Sequence, residues 1–232
     1  SHGAKLNDKK LGSLGNISNF SFYYAHHMTT IEGGMVCTNS KQIDTIVKMK
    51  RGHGLLRDSQ NNTLINKTKR KLKDLNSDFI FLTEGFNLRN NELSAVIGLQ
   101  QLKRLNKIIK ARNANHRLFI NNLRKDMFFT DFDLKGSSNY AFQLILKEKN
   151  KKLFNKVLSV LKNNSIEYRV GSVGGGNQLR QPYLKPYNFK KKYKSLKNTE
   201  HMHFYGLYIG NYPHLDHKKI INLCKLLNKI KF

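Results

Sequence analysis

From Asn91 onward the sequence repeats apolar residues at three- and four-residue steps: Leu93, Val96, Ile97, Leu102, Leu105, Ile108 and Ile109. That spacing lines one face of an α-helix and excludes a strand, whose faces alternate every second residue. The stripe can continue through Leu118 and Leu123, as one long helix or as two with a break near Asn113, and Asn90 or Asn91 can cap its start. A helix this long organises whatever folds around it. The segments on either side supply the other layers.

Before the stripe, "FSFYY" (20–24) and "GMVCT" (34–38) read as short strands, and Lys41–Arg51 places Ile43, Ile46 and Val47 on one face of a helix. The opening twenty residues read as a polar, glycine-punctuated loop. Residues 57–78 are polar and basic with few periodic apolar positions, and read as a surface excursion. After the stripe, "YAFQLIL" (140–146), "IEYRV" (166–170) and "HFYGLYI" (203–209) are strand candidates and 151–162 is a helix. A last amphipathic helix starts near His217, capped by Asp216, and buries Ile220, Ile221, Cys224, Leu227 and Ile230. Strands alternating with helices define an α/β or α+β chain without internal repeats.

The formal charge of +27 raises the question of a nucleic-acid partner. Of the 42 basic residues, 32 are Lys and 10 are Arg. Base-edge readout leans on Arg, and single-strand binding needs aromatics interleaved with the charge. The runs "KTKRKLK" (67–73) and "FKKKYK" (189–194) suit solvated faces, so nucleic-acid binding is not the expected main function. The two cysteines, Cys37 and Cys224, form no metal or redox spacing, so no metal site is expected. No apolar run reaches membrane-spanning length and no signal-peptide pattern is present, which predicts a cytoplasmic protein with no membrane partner.

Three stretches carry candidate chemistry. In "FSFYYAHHMTTIEGGMVCTN" (20–39), Ser21 can offer its hydroxyl to a phosphate from a strand-to-loop turn, and the pair His26 and His27 can move protons near neutral pH. In "TEGFNLRNNELSAVIGLQQL" (83–102), Asn87 and Arg89 stand at a helix entry, where anions are favoured. In "YRVGSVGGGNQLRQPYL" (168–184), a glycine triplet precedes Asn177, Gln178, Arg180 and Gln181, a dense set of donors for hydroxyls and phosphates. Each has a plain alternative: a salt bridge within the fold for Arg89, packing for Tyr183, a loop hydrogen bond for His53 in "RGHG", and mere adjacency for His27.

Taken in order, these stretches, with "HGAKLNDKKLGSLGNISNFSF", "RGHGLLRD", "GFNLRNNELSAVIGLQQLKRL" and "YIGNYP", resemble the DegT/DnrJ/StrS sugar aminotransferase family over almost the whole chain. The resemblance implies an α/β fold, the PLP-dependent transferase fold type I in incomplete form. Residues 1–112 would be the C-terminal part of the large cofactor-binding domain, including the start of the long helix. Residues 113–232 would be the small α+β C-terminal domain. It implies pyridoxal 5'-phosphate and pyridoxamine 5'-phosphate as cofactor, a nucleotide-linked 4-ketosugar as substrate, glutamate as amino donor, and a homodimer.

In ordinary members the turn runs Ser-Phe, three residues, then the lysine that bonds covalently to the cofactor. Counted from Ser21 and Phe22, that position holds His26. The exchange resembles the ketosugar 3-dehydratase branch, in which loss of the C3 hydroxyl replaces amino transfer and His26 would be the base. Two distant cysteines cannot supply the four thiolates of an iron–sulfur cluster, which favours the cluster-free, GDP-sugar type. Position by position, Ser21 would bind the cofactor phosphate, Asn87 would reach it from the neighbouring subunit, and Asn177 and Arg180 would meet the sugar nucleotide or the glutamate carboxylate.

The resemblance also implies more than a hundred residues before Ser1. Among them would be the aspartate that pairs with the pyridine nitrogen, which a complementing N-terminal half could provide. Two other readings stay open: an inactive or split aminotransferase-like fragment with a structural role, and a basic nucleic-acid-binding module.

Overall fold

A computed structural model describes residues 2–171, 175–187 and 192–231. Gly174 of the glycine triplet and residues 189–191 of the second basic run lie outside them. The chain divides into two compact units, His2–Leu105 and Asn106–Phe232.

The first unit opens with a miniature hairpin, β1 (Lys5–Leu6) against β2 (Lys9–Lys10). Its two-residue turn puts Asn7 and Asp8 at φ 48° and 62°. Asx side chains tolerate that left-handed backbone, which matches the twist of the hairpin, so the expected loop is a short ribbon. Then β3 (Ile17–Ser21) pairs antiparallel with β4 (Gly34–Thr38), Ser21 opposite Gly34. The strand expected at 20–24 lies three residues earlier, and Phe22 begins the turn.

Helix α1 (Lys41–Arg51) has the expected bounds, with Ser40 Oγ accepting from the Ile43 amide at 3.3 Å. Within the expected excursion the chain forms a 3-10 turn, Leu56–Ser59, and helix α2 (Asn62–Lys71). Asn61 caps α2 through the Leu64 amide at 3.0 Å. Only Thr68 of α2 is buried, so a ten-residue helix with so little apolar surface left no readable periodicity.

Helix α3 (Glu92–Asn122) runs 31 residues without a break, and Asn91 caps it through the Ser94 amide at 3.0 Å. The two units divide within it, between Leu105 and Asn106. Of the expected stripe Leu93, Val96 and Leu102 are exposed, and the buried positions of the helix are Arg112, Asn115, His116, Phe119 and Ile120.

In the second unit β5 (Ala141–Ile145) and β6 (Tyr168–Val170) flank a central β7 (Gly206–Gly210), all antiparallel. Phe142 and Leu144 pair with Ile209 and Leu207 and belong to the main core. That core is completed by Phe119 and Leu123, by Phe154, Val157 and Leu161 of α4 (Lys151–Asn163), and by Ile220, Leu223, Cys224 and Leu227 of α6 (His217–Asn228). Asp216 caps α6 through the Lys218 amide, as expected, whereas Ile221 is only half-buried.

Burial pushes the Cys224 thiol up to about 12, and the side chain is 1% exposed. The stretch expected as a strand at 203–209 is instead the end of helix α5 (Lys197–Tyr205), which stops where Gly206 bonds back to Met202 O, followed by β7. The aromatic run His203–Tyr205 has strand-like composition although it closes a helix.

A buried polar knot ties α3 to this sheet. Arg112 Nη1 donates to the carbonyls of Tyr140, at 2.9 Å, and Asn211. Asn211 Nδ2 answers with bonds to Arg112 O and Asn139 O, both 2.9 Å. Asn115 Nδ2 reaches Tyr212 O at 2.8 Å. Such a network fixes one geometry because every lost partner strands a buried polar group.

Candidate functional site

Ser21 ends β3 and is exposed; its hydroxyl accepts from the Tyr23 amide at 3.3 Å. Beyond it Phe22 is clamped by Phe22 N–H to Gly33 O (2.8 Å) and by Thr30 N–H to Phe22 O (2.9 Å). The chain between is thereby folded into a compact loop carrying His26 and His27. His26 N–H donates to Tyr23 O at 3.0 Å and the His26 ring meets the Tyr23 ring edge-on at 6.1 Å. His26 is half-buried and His27 fully buried.

A residue not singled out in the sequence sits at the centre of this loop. His2 is 7% exposed and stacks between Phe20 (5.7 Å, 18°) and Phe22 (5.8 Å, 11°). Its ring stands edge-on to His26 and His27, at 6.4 and 6.2 Å. Neither ring nitrogen of His2 has a hydrogen-bond partner among the described residues. Burial pushes its imidazole down to about 4, so the ring is neutral at physiological pH. A buried ring with both nitrogens unmatched costs stability unless another group meets them. The apolar alternation Phe20–Phe22 was the signal that a partner ring was needed.

Asn87 and Arg89 are placed by a second device. The chain at 50–56 runs beside 80–88 through Phe86 N–H to Lys50 O (2.7 Å), Leu88 N–H to Arg51 O (3.0 Å), His53 N–H to Phe86 O (2.8 Å) and Leu56 N–H to Ile80 O (2.9 Å). Gly52 and Asn87 form an antiparallel bridge. A Cβ on Gly85 would lie 2.1 Å from Gly54 N, so only glycine permits this approach. Asn87 is exposed and its side-chain amide makes no hydrogen bond to a described residue. Arg89 pairs with Asp58 at 2.8 Å, which holds the guanidinium within the fold. His53 takes part through its backbone, at φ 63°.

In the second unit Asn177 and Arg180 converge on one carboxylate. Asn177 Nδ2 donates to Glu200 Oε1 at 2.7 Å, and Arg180 forks onto both oxygens at 2.8 and 2.5 Å. The Arg180 guanidinium also lies over Tyr193 and Phe204, at 4.4 and 4.8 Å. The Arg180 fork, aided by the Asn177 amide, holds the Glu200 carboxyl down at about 2. Gly175 and Gly176 adopt φ of 80° and 85°, and Gly176 leaves room for His203, whose Nδ1 accepts from the Asn177 amide at 3.1 Å. Both side chains thus strap the glycine loop to α5. Tyr183 is exposed, its hydroxyl donating to Gln178 at 3.1 Å. Among the described residues no cluster of His, Cys, Asp or Glu has metal-binding geometry, and no helix is long and apolar enough to cross a membrane.

The three-stranded sheet with its helices, and the serine-ended strand leading into the histidine loop, define part of the PLP-dependent transferase fold type I, α/β in class. Residues 1–228 match the DegT/DnrJ/EryC1/StrS aminotransferase family, and the chain belongs to it. It is 28% identical to GDP-4-keto-6-deoxy-D-mannose 3-dehydratase of Escherichia coli O55:H7 over 213 residues, 91% of this chain and 54% of that protein. To the enzyme of the same name from Yersinia pseudotuberculosis it is 30% identical over 235 residues, 99% of this chain and 58% of that protein. A crystal structure of GDP-4-keto-6-deoxymannose-3-dehydratase with a trapped PLP-glutamate geminal diamine superposes with a TM-score of 0.74 at 27% identity, covering 97% of this chain and 58% of the other. The chain spans about half the length of the curated relatives it matches.

Proposed function

We propose that this chain is the histidine-bearing part of a pyridoxamine-phosphate-dependent enzyme that removes the C3 hydroxyl of a 4-keto-6-deoxy sugar nucleotide, with glutamate restoring the amino group. The observation that carries this reading is His26, which stands in a fixed loop five residues after a strand-terminal serine, at the position that corresponds by resemblance to the lysine of ordinary family members.

The residues present suit the cofactor. Ser21 presents an exposed hydroxyl to a phosphate, and Asn87 offers a free amide to the same group across a homodimer. The unmatched ring nitrogens of His2, buried between two phenyl rings, suit a polar substituent of a planar ring. When bound, the cofactor supplies an electron sink conjugated to the sugar carbons.

The protein supplies the rest. Phe20 and Phe22 keep the imidazole pocket dry. Tyr23 fixes the His26 backbone, and His26 accepts and returns the proton at the carbon next to the reacting amine. An imidazole cannot make the covalent link a lysine amine makes. With that return path closed, departure of the C3 hydroxyl as water becomes the outcome. In this scheme Asn177 and Arg180 act by holding their own loop against Glu200.

The test uses the polypeptide completed to family length, in one chain or by mixing with a separate N-terminal half. It is given pyridoxamine phosphate, glutamate and GDP-4-keto-6-deoxymannose, and ammonia release is followed. Ammonia and a 3-deoxy sugar are expected from the parent. His26→Asn should lower the rate by at least about a hundredfold, the usual contribution of a positioned base. Unchanged turnover in that variant removes the assignment.

A further inference from the structure

Helices α4 and α6 leave an open groove of about 520 Å³ between them, lined by Lys152, Asn155, Lys156 and Ser159 from α4 and by Leu226, Lys229 and Lys231 at the end of α6. Its size falls within the range of small-molecule sites. Val160, Leu226 and Ile230 form an aliphatic floor and four lysines form the rim. Neither helix contains an Asp or Glu, and none of the described residues lining the groove is acidic.

Two features make this more than scattered basic residues. Lys152 and Lys156 lie one turn apart on the same helix face, an arrangement that costs a few tenths of a kcal/mol unless an anion relieves it. Lys156 Nζ also donates to Lys231 O at 3.1 Å, which draws the segment after α6 against α4. Asn155 and Ser159 are exposed on the same wall, and neither side chain bonds to a described residue, so both keep donors for a ligand.

We propose that this groove binds a phosphate-bearing organic anion of nucleotide size, its phosphates among the lysines and its apolar portion on Val160, Leu226 and Ile230. Ammonium groups act as point charges with three rotatable donors, which suits the spread charge of a polyphosphate, while planar carboxylate recognition calls for arginine, absent here. The site involves none of the residues assigned above to the cofactor or the proton transfer.

Titration calorimetry with ADP, inorganic pyrophosphate and oligoadenylates of 10 and 30 nucleotides tests the proposal. Saturable one-to-one binding of ADP is expected, tighter than pyrophosphate by about tenfold because only ADP covers the aliphatic floor. Lys156→Ala combined with Lys229→Ala should weaken ADP at least about tenfold, while Ser21→Ala leaves it unchanged. ADP binding that survives the double substitution, that drops with Ser21→Ala, or that is no tighter than pyrophosphate overturns the proposal. So does affinity that climbs with oligoadenylate length, which would mark the face as a nucleic-acid surface.

Discussion

The imidazole of His2 stands edge-on to that of His26, ring centroids 6.4 Å apart and planes at 71°. Stacked between Phe20 and Phe22, His2 is part of the wall against which the His26 loop is built.

Replacing His2 by Phe keeps the ring stack and removes the two unmatched nitrogens. The thermal midpoint of the cofactor-free protein should hold or rise, because a buried unpaired polar group costs about 1–3 kcal/mol. Retention of pyridoxamine phosphate, measured by equilibrium dialysis, should fall about tenfold, the equivalent of one hydrogen bond to a polar group. Unchanged retention would show that the nitrogens face nothing on the cofactor.

Gly85→Ala drives a methyl group into the backbone of Gly54 and His53, at 2.1 and 2.4 Å. Backbone cannot swing aside as a side chain can. We expect a loss of about 2–4 kcal/mol in urea unfolding, as for other steric intrusions into packed backbone, and weaker phosphate binding through displaced Asn87. Gly15→Ala, where the nearest atom is 3.7 Å away, is the control and should be nearly silent.

His116 packs edge-on to Phe132 at 5.9 Å and stacks on Phe142 at 6.2 Å, and its Nδ1 has no partner among the described residues. Burial pushes it from 6.5 down to about 4. Between those values the unfolded chain binds more protons than the folded one. Stability therefore rises with pH across that window and is lost as pH falls from 6.5 towards 4, at up to about 1.4 kcal/mol per unit for this group. His116→Leu should flatten that part of the curve; an unaltered acid limb in the variant would contradict it.

Glu200→Gln keeps the shape of the side chain and removes its charge. The Arg180 fork and the Asn177 bond both weaken, at a cost of about 1–3 kcal/mol for a charged hydrogen bond. Amide exchange at Leu179 and Arg180 should speed up, while that in β5 and β7 stays as in the parent. The Glu200 carboxyl, held at about 2, stabilises the fold above its ordinary value of 4.5, and that contribution disappears as pH falls from 4.5 through 2. In Glu200→Gln this low-pH loss should be absent.

Where the sequence alone was legible, a local signal and its structural cause coincided. Helix α1 begins at a serine cap and ends at a glycine, and β4 is a run of β-formers closed by Thr38, so both kept their expected bounds. The start of α6 was readable from Asp216 for the same reason. Helix α5 was not, because its last turn, His203–Tyr205, carries strand-like residues and the break to β7 falls at Gly206, inside the apolar run. Nor could the pattern from Leu93 to Leu102 say what would cover it: periodicity announces a helix face, not its partner.

For the site, Ser21 and His26 stood out through the resemblance of their turn to the family's Ser-Phe, three residues, lysine pattern. Asn177 and Arg180 were readable as donors, but their acceptor, Glu200, lies 23 and 20 residues further along the chain. The place of His2 was not legible in the sequence because it depends on rings that come eighteen and twenty residues later.

The sealed sulfur of Cys224 has a practical corollary. With that thiol 1% exposed and pushed up to about 12, a maleimide dye added at neutral pH meets one accessible thiol within residues 1–232, Cys37 on β4. The unmodified protein is therefore ready for site-specific fluorescence labelling a short distance along the ribbon from Ser21.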